Sequence, residues 1–174
     1  MEIFKPNLNN TILERDKSQT LMSSSNHAGN IIINLAGLPE FLRKPILHKR
    51  LLEFFSMNQE DKKEIIKNAL IAGPTIQFDK FSTLFKTWLE ILCTLSQEQR
   101  KTMFSSYINE ITNHPEKIIA FNLDGIFEIF MSLSEDKKSI ISTSLREIVS
   151  SLDERNRKKL YLIIPDSAKN EIGI

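Results

Sequence analysis

With 174 residues, 41% of them apolar, the chain is long enough for one domain with a real core. Its 23 basic and 22 acidic side chains nearly cancel, which gives no overall electrostatic reason to seek nucleic acid or an anionic membrane. The single cysteine, Cys93, excludes an internal disulfide and a thiolate-rich zinc site, and no run of 18 apolar residues provides a transmembrane helix.

Residues 1–30 are rich in Asn, Ser, Thr and charge, with scattered apolar residues. Such a segment cannot bury enough surface to offset its ordering entropy, so it is expected to be a flexible N-terminal arm. Its first residues lack the basic-then-apolar layout of a secretory signal, and a reducing, cytoplasmic location is expected. Residues 31–174 are expected to form one helical-repeat domain.

Ile31-Ile32-Ile33-Asn34-Leu35 could make a short strand, but no second strand-like run exists to pair with it. It reads as a lead-in segment or a capping helix. Leu38 to Ser56 carries apolar residues three or four apart, as an amphipathic helix requires. Pro45 removes a backbone donor and predicts a kink or two shorter helices there.

An element then returns every 38 residues: an apolar residue, a small polar one, acids, then bases. Its copies begin at Met57-Asn58, Leu95-Ser96 and Leu133-Ser134, and a looser one at Leu152-Asp153 follows after half a period. Asn58, Ser96, Ser134 and Asp153 are favoured N-cap types, and the acids that follow suit the positive end of a helix dipole. Gln99, three residues after Ser96, predicts a capping box. Lys137 takes that place in the third copy. Apolar stripes follow each cap: Ile65, Ile66, Ala69 and Leu70; Met103, Phe104, Tyr107 and Ile108; then Ile140, Ile141, Leu145, Ile148 and Val149.

Between these helices lie partners of a second kind. Gly73-Pro74 predicts a stop, and Phe78 to Leu95 a strongly apolar helix. Asn113-His114-Pro115 opens another helix, and Asp124-Gly125 predicts a break that leaves residues 126–133 as a short piece. Six to eight helices with short loops and no sheet are expected. A period of this length is the signature of stacked supersecondary units, here antiparallel helix pairs.

Such pairs resemble the α-solenoid families, armadillo and HEAT-like repeats. The elements Leu133-Ser134-Glu135-Asp136-Lys137-Lys138, Leu152 to Leu160 and Ile164-Pro165-Asp166-Ser167-Ala168 are similar to the helical units of the N-terminal cytoplasmic domain of magnesium channels and of the flagellar motor-switch protein. The resemblance covers about residues 50–170. It implies a right-handed superhelix that docks on other protein domains. Neither a transmembrane part nor a motor-specific segment accompanies it, so it bears on fold more than on role.

No catalytic constellation emerges. The five glycines cannot spell a nucleotide-binding loop, and His27, His48 and His114 fall in different elements. Cys93 could pair with His114 as nucleophile and base, but its apolar setting blunts a thiol, and a small core residue is the simpler reading. Neither a cofactor nor a metal is expected. Two basic clusters, Arg43-Lys44 with His48-Lys49-Arg50 and Arg155 with Arg157-Lys158-Lys159, have acids beside them, as a solvated helix face does. The helical spacing of Phe78, Phe81, Phe85 and Trp88 favours a core stripe over a base-stacking platform. The leading expectation is a non-enzymatic scaffold or adaptor that binds another protein, with Phe85, Trp88, Arg155, Arg157, Lys158 and Lys159 as the expected contacts. The alternative is a nucleic-acid-associated regulatory protein.

Overall fold

The computed structural model describes residues 29–174, which are all-helical and contain no strand. Most of the expected arm over residues 1–30 lies outside this range, and its last two residues already belong to the first helix. The helices are α1 (residues 29–37), α2 (Glu40–Ser56), α3 (Gln59–Ala72), α4 (Phe78–Thr94), α5 (Gln97–Asn113), α6 (Glu116–Ile119), α7 (Leu123–Met131), α8 (Glu135–Ser151), α9 (Glu154–Ile163) and α10 (Asp166–Ile172). A short 3-10 turn, Gly73–Thr75, follows α3. The number exceeds the six to eight expected because the Ile31–Leu35 run is itself helical, one helix is split into α6 and α7, and α10 is separate.

The N-caps fall at Pro39, Asn58, Gln77, Ser96, Pro115, Ser134 and Asp153, each 19 positions after the one before. The turns are built alike. At Leu38, Met57, Ile76, Leu95, Leu133 and Leu152, the residue before the cap donates its N–H to the carbonyl three residues back, at 3.1–3.3 Å. The unit opening at Pro115 departs from this, because His114 bonds to Glu110 four residues back. Asn58 and Asp153 accept from the N–H three residues on, and Ser96 with Gln99 forms both halves of a capping box. Ser134 holds the cap position without a side-chain bond.

The basic half of the repeated element has a specific task. At four helix starts, the cation four residues past the cap turns back over the turn toward the preceding helix, whereas Lys138 pairs with Glu135 and Glu171. Arg43 donates from Nη1 to the Leu38 carbonyl at 2.6 Å, and Arg100 donates from Nη1 to the Leu95 and Leu92 carbonyls. Lys62 lies over the Phe54 ring at 5.9 Å, and Lys169 donates to the Tyr161 carbonyl at 3.1 Å. Carbonyl ends of helices carry partial negative charge, so each carbonyl contact joins charge to dipole as well as donor to acceptor, while Lys62 meets the face of an aromatic ring. The two arginines also reach forward. Arg43 Nε meets Thr87 Oγ1 at 3.1 Å and Arg100 Nε meets Ser144 Oγ at 3.2 Å, both buried hydroxyls on a helix further along.

The closest helix packing joins alternate units: α2 with α4, α3 with α5, α4 with α7 and α5 with α8. The expected stripes supply the core, with Ile66, Leu70, Met103, Phe104, Ile108, Ile141, Ile148 and Val149 buried.

Two local expectations are corrected, and the stop at Gly73 holds. Pro45 lies inside one uninterrupted helix, α2. The carbonyl it leaves without a partner belongs to Phe41, and both residues are exposed, so water can satisfy it. Asp124-Gly125 does not break a helix but forms the first turn of α7. The break comes earlier, at 120–122, where the Asn122 side chain caps the Gly125 N–H at 3.0 Å. Gly73 does end α3, yet it is right-handed (φ −50°). What it needs is room, because a Cβ there would lie 2.6 Å from the Phe121 ring.

Replacing Arg100 by Met, which keeps the apolar stem but removes three polar contacts, is expected to cost about 2 kcal/mol. Arg155→Met, at an exposed position, is expected to stay within about 0.5 kcal/mol. Urea denaturation of both variants checks the contrast.

Candidate functional site

The helices do not close on one another at the centre. They leave between them an apolar cavity of about 930 Å³, partly open to solvent, to which every helix from α1 to α10 contributes. Leu47, Leu51 and Phe54 come from α2, Ile65, Ile66 and Ala69 from α3, Phe127 and Phe130 from α7, and Leu145 and Val149 from α8.

One wall is aromatic. Along α4, Phe78, Phe81, Phe85 and Trp88 follow one another with ring centroids 6.3, 5.6 and 5.4 Å apart, the last two pairs stacked. Trp88 then meets Phe104 and Tyr107 of α5 edge-on, at 5.8 and 5.5 Å. Helical spacing on α4 puts these rings on one face, and α5 supplies the edges that fix them.

Among the described residues, charge enters the lining only through Arg50 and Glu53 of α2. Arg50 Nη1 donates to Glu53 Oε2 at 2.8 Å, Lys49 Nζ stands 4.0 Å from Glu53 Oε1, and all three side chains reach solvent. Among the described residues, Tyr107 brings the only hydroxyl side chain into the lining. Burial alone pushes its phenol well above its ordinary value, with no charge or hydrogen bond contributing.

Phe85 and Trp88, which the sequence places among the outer contacts, are half-buried and line this cavity. The cluster from Arg155 to Lys159 is dispersed. Arg155 is exposed, Lys158 pairs with Glu154 at 2.6 Å, and Lys159 donates to the Thr112 carbonyl at 2.9 Å, tying α9 to α5. Arg157 is half-buried at the position used by Arg43 and Arg100 in their units.

Sequence reasoning passed over the outer face of α2. Phe41, Pro45, His48 and Leu52 form one stripe at helical spacing, with Leu42 and Ile46 beside it. Phe41 is 76% exposed, and Leu42, Ile46 and Leu52 are between 41% and 45% exposed. Lys44 and Lys49 flank the stripe and are exposed. The signal was present in the sequence, since α2 carries more apolar residues than one buried stripe can use.

Cys93 is half-buried, and desolvation raises its thiol, opposed by nearby Lys137 and Arg100. His114 sits at the surface with Nδ1 3.5 Å from Glu116. Among the described residues no cluster of His, Cys, Asp and Glu is arranged to hold a metal ion, and no helix is long and apolar enough to cross a membrane. No protein-family model, curated protein or solved structure matches the chain.

The Tyr107 phenol holds its proton more tightly in the folded chain than in the unfolded one, where it titrates near 10. Its contribution to stability is therefore full below about pH 10 and lost as pH rises beyond it. An ultraviolet titration should show one of the two tyrosines ionising only as the helices unfold, and Tyr107→Phe should make stability less sensitive to alkali.

Proposed function

We propose that this chain is a non-enzymatic protein-interaction module, a scaffold or adaptor, that docks an acidic amphipathic helix of a partner protein on the outer face of α2. The observation that carries the reading is the exposed stripe of Phe41, Pro45, His48 and Leu52 with Leu42 and Ile46 beside it. An apolar stripe of this kind fits the apolar face of a partner helix. Lys44 and Lys49 on its flanks would orient the partner's carboxylates. Exposed Arg155 offers a second, weaker basic contact at the other end of the chain.

The same reading takes the 19-residue unit as half of a stacked, antiparallel helix pair in a right-handed superhelix, working in the cytoplasm. Regular capping and packing between alternate units support it. The nucleic-acid alternative is less well supported, because the charges balance and Lys158 and Lys159 are already engaged within the chain.

A synthetic acidic peptide with leucines at helical spacing is the direct probe. Fluorescence anisotropy of the labelled peptide should show saturable binding that Phe41→Asp or Ile46→Asp abolishes, with stability changed by no more than about 0.5 kcal/mol. Binding that survives both substitutions would contradict the assignment. Capture of duplex DNA that is lost as salt rises would favour the regulator instead.

A further inference from the structure

The apolar stripe of α2 has two unlike sides. Leu42, Ile46 and Lys49 flank it on one side at helical spacing, and all three are exposed. On the other side, Phe41, Lys44 and Pro45 line a groove whose far wall is Ile91 and Thr94, from the last turn of α4. Ile91 is buried and Thr94 is exposed. α2 packs directly on α4, and Arg43 Nε donates to Thr87 Oγ1 across that contact at 3.1 Å, so the two walls are held together.

A side chain seated between two helices is touched from both sides, which removes more apolar surface from water than contact with a single stripe, and interface anchors concentrate in such grooves. Charge sets the chemistry of the partner. The exposed charges of α2 are Lys44, Lys49 and Arg50 against Glu40 and Glu53. Lys49 and Arg50 both lean on Glu53, whereas Lys44 has no carboxylate partner among the described residues. Glu40, one turn before Lys44, also lines the groove and repels a second acid at that end. On the reading that a partner's acidic helix docks on α2, we propose that this helix lies over the seam between α2 and α4. One leucine-sized side chain enters the groove against Ile91 and Thr94, and a carboxylate pairs with Lys44.

The full chain is titrated into a labelled acidic peptide with leucines at helical spacing, and binding is read by fluorescence anisotropy. Thr94→Trp narrows the groove and should weaken the peptide at least about ten-fold while helical circular dichroism is kept. Thr83→Trp, exposed on the same face of α4 but outside the groove, should change binding by no more than about two-fold. Lys44→Glu should weaken the acidic peptide at least about ten-fold. The same peptide carrying photo-leucine, irradiated on the wild-type chain and mapped by mass spectrometry, should leave adducts between Ile91 and Thr94 as well as on α2. Undiminished binding by folded Thr94→Trp, or adducts confined to α2, would overturn the seam. Docking on α2 would still stand in that case, provided Phe41→Asp abolishes binding. Lys44→Glu binding as tightly as wild type would overturn the carboxylate pairing. No saturable binding by the wild-type chain, or binding that survives Phe41→Asp, would overturn both the seam and the docking face. If Thr94→Trp does not fold, the adduct positions on the wild-type chain decide the matter.

Discussion

The contact on which this fold depends is the return of a cation, four residues past a helix cap, to the end of the helix before it. Two-residue links give the chain little freedom to choose the angle between consecutive helices. The N–H just before the cap closes the old helix, the cap side chain opens the new one, and Arg43 or Arg100 then binds the carbonyls left over at the turn. Those carbonyl groups sit beside buried Leu35 and Leu92, where water is excluded and an unpartnered acceptor is costly. The forward bonds to Thr87 and Ser144 carry the same guanidinium into a helix further along, so one side chain fixes both a turn and a packing contact.

This arrangement explains how a large apolar cavity can persist. In a bundle held only by side-chain packing, unfilled volume is removed by helices moving together. Here the helix directions are set at the periphery, by backbone turns and by ties such as Lys159 to the Thr112 carbonyl and Lys137 to Glu90. Buried Glu110 with Lys117 adds another, between α5 and α6. The apolar stripes face inward without meeting fully, and the aromatic rings of α4 line the remaining space. The exposed apolar stripe of α2 is a different surface, turned outward.

Much of this was legible in the sequence because capping is local. Asn58, Ser96 and Asp153 bond within their own first turn, and the stripes behind them follow from helical spacing alone. The errors arose where distant residues decide. Pro45 is tolerated because Phe41 faces water, and Gly125 lies inside a turn because Phe78 approaches its α-carbon from another helix. The same holds for the site. The spacing of Phe85 and Trp88 marked them as one face of a helix, but whether that face meets a neighbour, solvent or empty volume depends on helix separation, which no local pattern encodes. The basic run from Arg155 to Lys159 looked like one patch, yet its members point to different partners.

The measurement that tests this account most directly is native-state hydrogen exchange read amide by amide. If the turns are the fixed points of the structure, the N–H groups of Leu95 and Leu133, which close buried turns, exchange only through global unfolding. Exchange of these amides by local opening, faster than amides in the middle of α5 and α8, would contradict it.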